Sequence, residues 1–121
     1  MHWTDLEVWK TAHRLVLEIY NVTGTFPKSE GFAIVDQLRR AAYSIPANIV
    51  EGQSRDTTKD YLRFLYNARG SVEETRYFLL LSKDLGYLEE AQYRGLEEGY
   101  ETVSKLLNGL IGSLRGLKGK D

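Results

Sequence analysis

Apolar positions along this chain recur with a helical period, and no segment alternates with period two. Leu6, Trp9, His13, Val16, Tyr20 and Thr23 fall at steps of three and four, which holds them on one helical face. Thr4 or Asp5 is placed to cap that helix, and Gly24 followed by Pro27 to stop it. Phe32, Val35, Leu38, Ala42, Ile45 and Ile49 give a second face behind a cap at Ser29, closed by Gly52 and a polar run. Thr57, three residues before Asp60, resembles a capping box and opens a third helix. Its first seam is Tyr61, Leu65, Ala68, Val72, Thr75 and Leu79, bordered by Phe64, Ser71, Phe78, Ser82 and Leu85, with Gly86 as terminator. Leu96, Tyr100, Val103, Leu107, Leu110, Leu114 and Leu117 mark a fourth helix, acidic at its start and basic at its end, as the helix dipole favours. Gly109, Gly112 and Gly116 lie off its leucine seam, and fraying is expected beyond Leu114. The spans, about residues 5–24, 30–53, 58–85 and 89–116, have short connections, so consecutive helices should be antiparallel neighbours. The expectation is an all-α, up-down-up-down four-helix bundle forming a single domain over residues 1–121.

One stretch breaks the pattern. Arg39-Arg40-Ala41-Ala42-Tyr43-Ser44-Ile45-Pro46-Ala47-Asn48-Ile49-Val50-Glu51-Gly52 reads as one helix with a proline in its middle. Such a proline removes a backbone hydrogen bond and costs about 3 kcal/mol. The apolar period continues through Pro46, so the reading is a kinked helix 2, with a break into two helices as the alternative. Arg40, Ser44, Asn48, Glu51 and Arg55 share a face beside the apolar seam. On helix 3, Gly70 and Ser71 would admit a close neighbour, and Glu74 is a partner for Arg39 or Arg40. Arg39, Arg40, Ser44, Pro46, Asn48, Glu51, Arg55, Ser71 and Glu74 are therefore expected to form a structural polar network that sets helix register and supplies a donor to the carbonyl of Ala42 freed by Pro46, the alternative being a functional binding site.

Composition narrows the chemistry. The chain lacks cysteine, which removes disulfides, zinc thiolates and thiol nucleophiles. No basic stretch followed by an apolar run opens the sequence and no apolar run is bilayer-long, so a cytoplasmic protein without membrane contact is expected. The net charge of −1 gives no overall nucleic-acid signal and leaves open only a local basic patch. A bundle can hold a di-iron centre through Glu and Glu-x-x-His ligands, but neither His2 nor His13 lies three residues after a Glu. His13 reads instead as a core or boundary residue. There is no phosphate loop and no nucleophile elbow. No catalytic residue, metal or cofactor is expected.

Helix 3 carries a further stripe of Tyr66, Arg69, Tyr77 and Leu80, and Tyr77-Phe78-Leu79-Leu80-Leu81 is apolar almost all round. A helix apolar on every side is normally covered on every side, and Tyr with Arg is typical interface composition. These four residues are the expected oligomer interface.

The run from Arg39 to Gly52, followed by Arg55, closely resembles the signature of the bacterial four-helix bundle proteins related to those encoded in 23S rRNA intervening sequences. Leu6, Trp9 and Ala12, then Ile19-Tyr20, Phe26-Pro27 with Glu30, Gly70-Ser71 with Glu74, and Leu85-Gly86-Tyr87-Leu88 extend the resemblance over nearly the whole chain. It implies an antiparallel bundle assembling as a ring, a homopentamer, with no catalytic residues. It also implies distant kinship to the accessory variability determinant of diversity-generating retroelements, which binds nucleic acid and a reverse transcriptase. The function expected is that of a non-enzymatic, oligomeric scaffold or interaction protein. The alternative is an RNA- or DNA-binding accessory protein, with candidate contacts at Arg39, Arg40, Arg55, Arg63, Lys118 and Lys120.

Overall fold

The computed structural model describes residues 2–117. Among them are four α-helices and no strand: α1 (Glu7–Thr23), α2 (Asp36–Gln53), α3 (Thr58–Asp84) and α4 (Glu90–Leu117). Side-chain pairs give their directions. Ser44 in the middle of α2 meets Ser71 in the middle of α3, while Gly52 at the end of α2 lies against Tyr61 and Phe64 at the start of α3. Arg76 reaches Glu97, Arg69 reaches Asn108 and Tyr66 reaches Arg115, a descending register that makes α3 and α4 antiparallel. Arg39 near the start of α2 meets Tyr20 and Thr23 at the end of α1, and α1 packs on α4 where Leu15 faces Gly99. Each helix thus touches its neighbours in sequence, and α1 and α4 close the bundle.

The ends follow local chemistry. Thr57 Oγ1 accepts from the Asp60 N–H and opens α3. Gly86, at φ +84°, lets the chain turn back so that the N–H of Tyr87 reaches the carbonyl of Ser82. The first helix begins differently from expectation. His2 Nδ1 accepts from the Thr4 N–H within a 3-10 turn at Trp3–Asp5, and α1 then starts after Leu6 without a side-chain cap. Ser29 is no cap either, since it lies inside a 3-10 turn that follows Pro27.

The core corrects two apolar seams. In α1 the buried face is Val8, Ala12, Leu15, Val16, Ile19 and Thr23, whereas His13 and Tyr20 are exposed. Trp9 and His13 repeat at core spacing because they stack on each other along the surface, ring centroids 5.0 Å apart. In α2 a π turn at Gly31–Val35 precedes the helix. Its wider winding takes up an extra residue, so Ile34 and Val35 turn inward and Phe32 is left 99% exposed. The seams of α3 and α4 run as the spacing indicates as far as Ser82 and Leu107, but Leu85 and Leu117 at their far ends are exposed, and Ile111 is buried where Leu110 was expected. α4 stays helical through Leu117, past the point where fraying was expected.

Candidate functional site

Pro46 is buried inside a continuous α2. Two turns of polar chemistry surround it. Asn48 Nδ2 donates to the Ser44 carbonyl at 2.8 Å and to Ser44 Oγ at 3.1 Å, and Ser44 Oγ shares a hydrogen bond of 2.7 Å with Ser71 Oγ on α3. The amide of Asn48 therefore serves the carbonyl of Ser44 and not that of Ala42. Ser71 also offers its carbonyl to Thr75 Oγ1, at 2.8 Å, so α2 and α3 meet through linked hydroxyls.

The other expected members of the network lie apart from this cluster. Arg39 turns toward α1, where its Nε donates to Thr23 Oγ1 at 2.9 Å and its guanidinium stacks 4.5 Å from the centre of the Tyr20 ring. It does not pair with Glu74. Arg40 and Glu74 line one recess with Gln37, Ala41 and Ser44, yet do not pair with each other. Glu51 is exposed, and its backbone carbonyl accepts from Ser54 Oγ at the helix end. Arg55 stacks on Phe64, 4.5 Å from the ring centre. Gly70 is open to solvent. The close approach of α2 to α3 comes instead at Gly52, where an added Cβ would lie 3.0 Å from Phe64 Cβ and from Tyr61 Cδ1. Spacing alone marked Gly52 only as a helix end.

Of the candidate nucleic-acid contacts, Arg55 and Arg63 come together, both stacked on Phe64. Arg63 also approaches Asp60 at 4.0 Å. Arg40 stands apart on α2, in the recess beside Glu74, whereas Arg55 lies in the turn after that helix. Arg39 is engaged with α1, and Lys118 and Lys120 lie outside the described residues.

The candidate interface splits in two. Tyr66 and Arg69 are met by α4: Arg115 Nε donates to Tyr66 Oη at 3.0 Å, and Arg69 lies over the Tyr66 ring. Tyr77 and Leu80, 57% and 39% exposed, line an open groove of about 350 Å³ with Tyr93 and the Arg76–Glu97 pair. Arg76 donates twice to Glu97 Oε1, at 2.9 and 2.6 Å, and this bond is the largest cause of the raised pKa of Arg76. Glu97 Oε2 is buried with no donor among the described residues. Spacing did not identify this pair, because it joins different helices.

Among the described residues no group of three or more His, Asp and Glu could hold a metal ion, and no helix is long and apolar enough to cross a membrane. No curated protein matches the chain. A crystal structure at 1.70 Å resolution of a protein of unknown function, from the S23 ribosomal protein family of Bacteroides thetaiotaomicron VPI-5482, superposes with a TM-score of 0.80. The two are 26% identical, over 86% of this chain and 97% of that one. The sequence model for the 23S rRNA-intervening sequence protein matches residues 4–109, taking in α1, α2, α3 and most of α4. With its four helices and the signature between Arg39 and Gly52, the chain belongs to the 23S rRNA-intervening sequence protein family.

Proposed function

We infer that this chain is a non-enzymatic interaction module of the bacterial cytoplasm that works as a homo-oligomer, a pentameric ring being the form its family resemblance implies. The observation carrying the reading is the apolar side chains its own bundle leaves uncovered. Phe32 is almost wholly in water, and Tyr77 and Leu80 flank an open groove. Fully burying a phenylalanine is worth about 1.5–3 kcal/mol, so covering these positions favours association. The Ser44–Ser71–Asn48 cluster fits a structural part in this reading, holding α2 and α3 in one register so that both outer faces are rigid. Replacing Phe32 by Ser, or Tyr77 and Leu80 together by Ser, should lower the association constant while leaving helix content unchanged. Sedimentation velocity over a concentration series reads this. Unaltered association in both variants would remove these faces from the interface.

A second reading, an RNA- or DNA-binding accessory protein, draws on one local feature, the two guanidinium groups of Arg55 and Arg63 on Phe64. Phosphate binding by them would weaken steeply with salt. A salt titration with structured RNA, single strands and duplex DNA, comparing the chain with Arg55→Ala, tests it. No binding at low salt would end it.

A further inference from the structure

The outward edge of the signature carries chemistry that self-association leaves unused. Gln37, Arg40 and Ser44 stand at steps of three and four residues, on one side of α2. With Ala41 and, from α3, Glu74, they line a polar recess of about 180 Å³. At ~30 Å³ per molecule in the liquid, that is room for about six waters. Arg40 and Glu74 are opposite charges on facing helices beside one recess, and among the described residues neither makes a hydrogen bond or an ion pair.

Proton counting adds a donor. Each serine hydroxyl has one proton and can accept two hydrogen bonds. Ser44 Oγ already accepts from Asn48, and a single proton lies between Ser44 and Ser71. Whichever serine gives it, the other hydroxyl proton has no acceptor among the described residues. The α2 wall thus offers the Arg40 guanidinium, the Gln37 amide and, when Ser71 donates to it, the Ser44 hydroxyl. The α3 wall offers the Glu74 carboxylate. Such a recess suits a ligand carrying an anion at one end and a cation a few bonds away. A recess of about 180 Å³ matches a small ligand of this kind.

We propose that this recess binds a small free α-amino acid, its carboxylate held by Arg40, Gln37 and the Ser44 hydroxyl, and its ammonium by Glu74. None of Phe32, Tyr77 and Leu80 lines this recess, so its test is separate from that of self-association. The test titrates the full chain with glycine, alanine and serine, following heat and the backbone amide signals of residues 37–48. Propionate and ethylamine, each half of alanine, are the controls. Saturable binding in the millimolar range or tighter is expected, about tenfold weaker in Arg40→Ala and in Glu74→Ala, with each control about tenfold weaker than alanine. Arg40 and Glu74 are exposed, so circular dichroism of both variants should match the parent. No saturation, equal binding of propionate and alanine, or indifference to both substitutions would overturn the proposal.

Discussion

Tyr100 is fully buried, and its hydroxyl has no partner among the described residues. Burial, then the negative charge of Glu18, push its pKa above the ordinary value of 10. In the unfolded chain the phenol ionises near that value while the folded protein still keeps its proton. The unfolded state then binds fewer protons, and stability falls as pH rises above about 10. Tyr100→Phe should therefore be neutral or stabilising by about 1 kcal/mol at neutral pH, with a shallower alkaline decline, as urea denaturation at a series of pH values will show. Clear destabilisation would mean that the hydroxyl is satisfied after all. Glycine positions sort just as sharply. Gly52→Ala gains helix propensity but places a Cβ 3.0 Å from Phe64 Cβ and 3.3 Å from the Tyr61 carbonyl, so a net loss of about 1–2 kcal/mol is expected. Gly109→Ala meets nothing within 4 Å and should gain up to about 1 kcal/mol, both changes being readable by thermal denaturation. At this scale the sequence is a poor guide. His13 and Phe32 carry the spacing of core residues and lie on the surface, because periodicity cannot tell a surface stack or a π turn from a buried face.

The element that matters most is α2. Asn48 joins a backbone carbonyl two residues before Pro46 to a hydroxyl pair that spans the gap to α3. Asn48→Leu removes both donations and leaves the Ser44 hydroxyl short of a partner, so a loss of about 1–3 kcal/mol is expected in chemical denaturation. An unchanged midpoint would show that the cluster does not hold register. That Ser44, Asn48 and Ser71 face one another was legible, since four-residue spacing on α2 and a small residue on α3 suffice to suggest it. That Arg40 would lie near Glu74 was legible too, although the two do not pair. The destinations of Arg39 and Arg55 were not: long side chains choose among partners on several helices, and Tyr20 and Phe64 become their neighbours only after the bundle has formed.

For the whole molecule, four strong periods and short connections were enough to read an antiparallel bundle, because short loops leave consecutive helices little choice but to pack side by side. Which outer faces stay bare depends on small rotations of each helix. The α3 stripe shows this: Tyr66 and Arg69 are occupied by α4, while Tyr77 and Leu80 are left open. Phe32 joins the uncovered set only through the π turn ahead of α2. Self-association through such faces is the central claim, and solution mass by light scattering at micromolar protein tests it most directly. The account predicts a mass several times 13.9 kDa, moving toward a single chain when Phe32, Tyr77 and Leu80 are replaced by Ser. A sharp species of 13.9 kDa for the unaltered chain would contradict it.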